Sequence, residues 1–256
     1  MKFRIDEYAN LDSFIHRWNP QSKLIGLGIL MFAFANVQQL WLVPPMLLVT
    51  LILYTISKLP LSFLGDRLQY PGLFIFGLVG LLPFISGPTV LWSWGPVIIR
   101  QEGSLAVLLI ASRFLAIFTT GVVLLGTCPF ITLIKAMRSL GLSPILADML
   151  LISYRYIFEL SHQLQMMKRA TILRGFQPHQ FSRRNLQIYA ALAGSLLIRS
   201  YQQSEQVYKA MQLRGYGIPD KTHKPWEFLT DFPSAIALGI SLMLATLFVT
   251  LSTIST

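Results

Sequence analysis

The sequence predicts an all-α integral membrane protein with about five transmembrane helices and two to three long cytoplasmic or interfacial helices. Three observations lead to this fold class. Apolar residues make up 54% of the 256 residues and charged residues only 12%, which is about half the usual share in a globular protein. Several apolar stretches are long enough to cross a bilayer. The net charge of +10 is typical of basic segments gathered on one side of a membrane.

Apolar stretches that are nearly free of charge place five membrane spans. A spanning helix needs about 20 apolar residues. Residues 24–57 are long enough for two short spans, and the polar residues 36–39 mark the division between them. The other three spans are predicted at residues 71–92, 104–126 and 234–253. A Trp-rich interfacial loop is expected to follow the third span, since Trp is enriched at headgroup depth.

The distribution of Lys and Arg predicts the orientation of these spans. The N-terminal segment, the loop after the second span and residues 127–233 are all basic, and the last of them holds 13 Lys or Arg against 6 Asp or Glu. Because cytoplasmic loops are rich in Lys and Arg, we expect the N-terminus and all three basic segments in the cytoplasm. The chain is thereby divided into four N-terminal spans (1–126), a cytoplasmic helical region (127–233) and a C-terminal span (234–256).

The cytoplasmic region contains an internal repeat with an offset of 40 residues. Residues 169–176 (RATILRGF) and 209–216 (KAMQLRGY) share the pattern basic-Ala-x-x-Leu-Arg-Gly-aromatic. A cation in the last turn of a helix interacts favourably with the terminal carbonyl groups, and Gly at C′ ends a helix. The pattern therefore predicts two helices with the same C-terminal structure, either simple caps or docking tips.

Repetition of the exposed aromatic residue after each Gly favours docking tips. A planar guanidinium can pair with a carboxylate in a partner's groove, and a small Ala four residues earlier lies on nearly the same helix face. The candidate docking residues are Ala170, Leu173, Arg174, Gly175 and Phe176 in the first copy and Ala210, Leu213, Arg214, Gly215 and Tyr216 in the second.

Motifs spread over nearly the whole chain resemble those of one transporter family. They are, in order, residues 15–23 (IHRWNPQSK, with Asn19 in place of the usual Asp), Arg113, Thr127-Cys128-Pro129, residues 140–144 (LGLSP), Tyr154-Arg155-Tyr156 and the two Leu-Arg-Gly endings. The chain resembles the transmembrane T subunit of energy-coupling factor (ECF) transporters, and it is most similar to the Q subunit of the cobalt and nickel branch.

This resemblance implies a non-catalytic scaffold in the bacterial cytoplasmic membrane. Its two tips would dock into two ABC-type ATPase subunits, and its membrane helices would hold a substrate-binding subunit of the S or M type. ATP and Mg²⁺ would be bound by the ATPases, whereas this chain would bind no cofactor, metal or nucleic acid. The transported species would be cobalt or nickel, with the T subunit of a vitamin importer as the alternative. Arg113 would contact another subunit in the membrane, or it would be a structural, snorkelling Arg.

Two other functional classes fit the residues less well. A lipid-modifying membrane enzyme could bind a phosphate headgroup with Arg183 and Arg184, but the predicted cytoplasmic helices contain no convincing acid–base pair. A self-sufficient channel or carrier requires polar residues inside its spans, and apart from Arg113 there are almost none. The sequence also lacks a Gly-x-x-x-x-Gly-Lys-Ser/Thr motif, which excludes a P-loop ATPase.

Overall fold

The computed structural model describes residues 13–85, 90–94, 97–177, 182–216 and 232–254. Within these ranges the helices are α1 (Phe14–Arg17), α2 (Pro20–Ala35), α3 (Val43–Ser57), α4 (Leu61–Ile85), α5 (Gln101–Gly126), α6 (Phe130–Ser139), α7 (Pro144–Leu173), α8 (Arg183–Leu213) and α9 (Phe232–Ile254). Two short strands, β1 (Val90–Trp94) and β2 (Val97–Arg100), pair antiparallel. The predicted all-α fold class is confirmed, with this strand pair as a small addition.

Three of the described helical segments are long and apolar enough to cross a bilayer: Leu40–Ser57, Gly103–Gly126 and Pro233–Thr253. They coincide with the second, fourth and fifth predicted spans. The first predicted span is helix α2, which is apolar but has only 16 residues. At 1.5 Å per residue α2 is about 24 Å long, somewhat less than the hydrocarbon core of a typical bilayer.

The third predicted span, residues 71–92, differs from the structure at both ends. Helix α4 begins ten residues earlier, at Leu61. It therefore includes Arg67, which the prediction assigned to the loop after the second span. The guanidinium of Arg67 lies 4.4 Å from the ring centroid of Phe63, so a cation–π contact stabilises this charge within the helix. At the other end, residues 90–94 form strand β1, because Val and Trp favour extended backbone. The interfacial loop was expected at residues 87–96, and of these, residues 87–89 and 95–96 lie outside the described residues.

The chain forms two compact units. One contains residues 142–224, with helices α7 and α8, and we call it the α7–α8 unit. The other contains residues 2–141 and 225–256, and we call it the membrane unit. Helix α6 belongs to the membrane unit and packs against α2, burying Leu133, Ile134 and Ala136. The cytoplasmic region predicted at residues 127–233 therefore begins about 15 residues before the α7–α8 unit.

The core of the membrane unit lies where α2 packs against α5 and α9. Phe34 of α2 is fully buried, and its ring meets that of Phe248 in α9 edge-on, with the centroids 5.4 Å apart. Ala116 of α5 is buried in the same cluster. Next to this cluster, small residues allow the backbones of α2 and α9 to approach each other closely. A Cβ atom on Gly26 would lie only 2.4 Å from Ser241 Oγ. Close backbone approach at small residues is how membrane helices associate in the absence of a strong hydrophobic drive.

We expect Gly26→Leu to lower the thermal stability of the purified chain, because the new side chain overlaps α9 and the Trp18 ring. Overpacking of this kind costs about 1–3 kcal/mol of unfolding free energy. Thermal unfolding in detergent measures the effect. Gly28→Leu is the matched control, since a Cβ at Gly28 meets no atom within 4 Å. Equal stability of the two variants would contradict the close packing of α2 on α9.

Candidate functional site

The first copy of the repeat forms the C-terminus of α7. The Gly175 N–H donates to the carbonyl oxygen of Ile172 (2.9 Å), and the Phe176 N–H donates to the carbonyl oxygen of Thr171 (3.1 Å). These two hydrogen bonds define a Schellman motif. Gly175 has a φ of 85°, in the left-handed region that glycine adopts without steric cost.

The second copy forms the C-terminus of α8 and has the same hydrogen bonds. The Gly215 N–H donates to the carbonyl oxygen of Gln212 (3.0 Å), and the Tyr216 N–H donates to that of Met211 (3.0 Å). Gly215 has a φ of 79°. The prediction that both glycines occupy the C′ position is confirmed, and two helix ends 40 residues apart have the same backbone structure.

We call these two helix ends the tips. Each tip presents an apolar and a cationic side chain to solvent. Leu173 is 89% exposed and Leu213 is 91% exposed, and they are the two most exposed large apolar side chains among the described residues. The adjacent Arg174 and Arg214 are also exposed. A leucine in water loses the free energy that its burial would provide, so the equivalent exposure of both leucines is compatible with the predicted docking tips.

Two small side chains lie one turn before the tips. Ala170 and Ala210 are exposed and precede the Arg of their helix by four residues, so they lie on nearly the same face. Their methyl groups leave the side of each guanidinium open. This geometry is compatible with a groove wall that approaches the helix closely, as the docking interpretation requires.

The two tips are supported by different neighbours within the α7–α8 unit. At the first tip, the Phe176 ring meets the Tyr189 ring of α8 edge-to-face, with centroids 5.3 Å apart. Asn185 of α8 also donates through Nδ2 to the carbonyl oxygen of Gln177 (2.7 Å). At the second tip, Tyr216 lines an apolar groove between α7 and α8. The repeat therefore fixes the backbone of each tip, while nonequivalent side chains hold it in place.

Helices α7 and α8 contact one another at equivalent positions of the repeat. Gln163 Nε2 donates to Gln203 Oε1 at 3.4 Å, and these glutamines are also 40 residues apart. Each precedes the Arg of its own tip by 11 residues, which is about 16 Å along a helix. Sequence analysis missed this pair, although extension of the repeat upstream at the same offset would have found it.

The groove between α7 and α8 has a volume of about 630 Å³. Its walls are mostly apolar and include Met149, Ile152, Tyr156, Leu197, Tyr201 and Tyr208. Further apolar side chains on the same two helices are exposed, among them Ile145, Leu146, Phe158 and Ile198. The α7–α8 unit thus presents an apolar surface as well as its two cationic tips.

Arg113, the charged residue of the fourth predicted span, lies in the middle of α5 and contacts the end of α2. Its Nη2 atom donates to the carbonyl oxygen of Val37, and Ser252 of α9 donates to the neighbouring carbonyl oxygen of Asn36 (2.9 Å). The last carbonyl groups of a helix lack partners within the helix, and a cation there is favourable. Arg113 therefore caps the chain where it leaves α2, which is a structural role. The contact with another subunit stays a prediction.

Comparison with known proteins shows the family to which the chain belongs. The family model described as cobalt transport protein (CbiQ) matches residues 12–225, which include both tips. The chain belongs to the CbiQ family. It is 29% identical to the energy-coupling factor transporter transmembrane protein EcfT of Limosilactobacillus fermentum over 94% of both chains. It is 30% identical to the EcfT proteins of Lacticaseibacillus paracasei, over 86% of this chain and 88% of the relative, and of Lactococcus lactis, over 82% of each.

The resemblance inferred from the motifs is confirmed by these matches. Membership in the CbiQ family, together with the apolar helices, makes the chain a transmembrane component of a transporter. Although the family is described by cobalt transport, no group of three His, Cys, Asp or Glu side chains in the described parts of the chain is arranged to hold a metal ion. The side chain of Cys128 is buried.

Proposed function

We propose that this CbiQ-family chain is the coupling T subunit of an ECF importer. In this role it transmits the motion of ATPase partners to a substrate-binding subunit in the membrane. The observation that carries the proposal is the pair of tips, which have one backbone structure and expose equivalent Leu and Arg side chains. The names of the relatives support the transporter class, and the absence of a P-loop motif supports a subunit that leaves ATP and Mg²⁺ to its partners.

The chemistry of a tip suits a groove that is apolar at its base and acidic at its rim. Arg174 or Arg214 would form a bidentate pair with a carboxylate, while Leu173 or Leu213 would fill an apolar pocket, as anchors of protein interfaces do. Two tips on one chain bind two ATPase subunits with avidity, because the second contact forms at a high effective concentration. Both tips and the N-terminus would lie in the cytoplasm.

The contact between Gln163 and Gln203 gives the two tips equal distances from the point where α7 meets α8. A change in the separation of the ATPases would therefore move both tips by similar amounts about this contact. The apolar groove beside it would change shape at the same time. We propose that the substrate-binding subunit lies against this apolar surface, which the described residues leave uncovered.

The family description favours cobalt, or the chemically similar nickel, as the transported ion. The EcfT names of the relatives favour the alternative, a T subunit that serves an ECF importer for vitamins. In either case the resemblance implies that the membrane partner would bind the substrate.

Affinity purification of the tagged chain from its own membrane tests the proposed function. We expect two ABC-type ATPase subunits and one small membrane subunit to co-purify, and mass spectrometry identifies them. Metal analysis of the complex after incubation with Co²⁺ or Ni²⁺ distinguishes ion uptake from vitamin uptake. Recovery of the chain alone, with turnover of a phospholipid substrate, would contradict the coupling role and favour a lipid-modifying enzyme.

A further inference from the structure

The first turn of α2 contacts the last residue of α6 and the segment just before α6 begins. Gln21 Nε2 donates to the hydroxyl oxygen of Ser139, the last residue of α6, at 2.7 Å. Lys23 Nζ lies 3.3 Å from both the carbonyl oxygen and the Oγ1 of Thr127, just before α6 begins at Phe130. Gln21 and Lys23, which we call the α6 anchor, thus bind the last residue of this ten-residue helix and the segment just before its start.

Lys23 is only 1% exposed, and a buried ammonium persists only where acceptors replace its hydration. Thr127 supplies two such acceptors. Its hydroxyl group donates to the carbonyl oxygen of Val123 (2.7 Å), so the lone pairs of Oγ1 and the Thr127 carbonyl face the lysine. The cation therefore caps the C-terminal end of α5 and fixes the point at which the chain turns into α6.

The turn that carries the α6 anchor is itself fixed in place. Asn19 accepts a hydrogen bond from the Gln21 N–H through Oδ1 (3.1 Å), which is an N-cap for α2. The Asn19 N–H donates to Ser234 Oγ of α9 (3.1 Å). The α6 anchor is thereby joined to α5, α6 and α9 through hydrogen bonds.

Helix α6 depends on these contacts for its order. With ten residues it is shorter than the length at which an isolated helix is stable in water. Its buried face packs within the membrane unit, and its end leads to Gly141, which has a φ of 111°. The border between the two compact units follows directly, at residue 142. Helix α6 is therefore the last part of the membrane unit before the chain enters α7.

We propose that Gln21 and Lys23 are positioning residues that hold α6 in the membrane unit while α7 moves. This inference rests on the proposed function, because it concerns how force applied to α7 reaches the membrane helices. If α6 were loosely held, motion of α7 would displace or unwind α6 and would not reach the other helices of the membrane unit. With α6 held at its last residue and at the segment before its start, a force that α7 applies through the segment around Gly141 acts on the membrane unit as a whole and does not displace or unwind α6.

Hydrogen–deuterium exchange of the full chain in lipid nanodiscs tests the anchor without any partner. In the double variant Gln21→Ala with Lys23→Met, we expect the amides of residues 130–139 to exchange about tenfold faster or more, as the loss of a hydrogen bond to a charged group predicts. Exchange in α9 should not change. Lys135→Met is the matched control, since Lys135 is an exposed residue of α6 itself.

Two results would overturn the anchor. One is unchanged exchange of residues 130–139 in the double variant. The other is equally fast exchange of residues 130–139 in the Lys135→Met control. That result would mean that loss of any positive charge near α6 accelerates exchange there. If the double variant does not fold, Gln21→Ala alone removes one neutral hydrogen bond, and α6 should still exchange about twofold to tenfold faster.

The assembled transporter tests the positioning role. With the anchor removed, we expect ATP hydrolysis within about twofold of the unchanged complex but substrate uptake reduced about tenfold, since a loosened α6 transmits less motion. Full uptake in a variant whose α6 exchanges rapidly would overturn this role. Absence of ATPases from the complex of the unchanged chain would instead contradict the proposed function, and the exchange experiment would remain decisive for the anchor.

Discussion

Replacing both tip arginines by glutamate, Arg174→Glu with Arg214→Glu, is expected to release the ATPase partners and abolish uptake. Each substitution places a carboxylate where the proposed groove offers acidic groups, so an attraction becomes a repulsion. Residues central to an interface contribute about 2–4 kcal/mol each. The double variant should therefore bind the ATPases at least about a thousandfold more weakly. Pull-down of the ATPases with the tagged chain measures this loss.

The single variants should have smaller effects, because the remaining tip still holds one ATPase and avidity is only partly lost. Arg155→Glu with Arg199→Glu is the matched control, since it makes the same charge change at exposed positions of α7 and α8 far from the tips. The thermal stability of all variants should match that of the unchanged chain. ATPases that co-purify normally with the double tip variant would refute the docking role of these arginines.

The second large effect is expected from Arg113→Met, which should destabilise the membrane unit of the isolated chain. The substitution keeps an unbranched side chain but removes the donor to the carbonyl oxygen of Val37. A hydrogen bond to a charged group contributes about 1.5–3 kcal/mol, and Val37 is only 1% exposed, so its carbonyl group would be left buried without that donor. Thermal unfolding of the purified chain in detergent or nanodiscs measures the decrease.

Ser252→Ala provides a graded comparison for Arg113→Met. It removes the neighbouring hydrogen bond to the carbonyl oxygen of Asn36, which is neutral and is expected to contribute only about 0.5–1.5 kcal/mol. Because both measurements use the chain without partners, a subunit contact of Arg113 cannot contribute. If the Arg113→Met chain is as stable as the unchanged chain but the assembled complex does not form or transport, the capping role is refuted and a subunit contact of Arg113 is favoured.

The features that were predictable from the sequence are those with local signals. The ends of α7 and α8 were predictable because Leu-Arg-Gly specifies a C-terminal cap by itself, and the left-handed φ values of Gly175 and Gly215 follow from the same motif. The second, fourth and fifth spans were predictable because a long apolar stretch has few alternatives in a membrane protein.

The remaining features depend on contacts between distant parts of the chain. The partner of Arg113 is a carbonyl group 76 positions away, and Lys23 and Thr127 are 104 positions apart, so one sequence gives no sign of either pair. The early start of α4 was missed because Arg67 was assigned to the loop after the second span. Strand β1 was missed because a Trp-rich apolar segment is compatible with both an interfacial loop and a strand.

The meeting of Gln163 with Gln203 has a consequence for stoichiometry. Each of these glutamines precedes the Arg of its own tip by 11 residues, so both tips lie about 16 Å along their helices from this contact. A single chain can then present the same tip structure twice, at the same distance from the contact between Gln163 and Gln203. If the tips dock as proposed, one copy of this chain offers a docking end to each of two ATPase subunits, and the apolar surface of the α7–α8 unit stays available to the substrate-binding subunit.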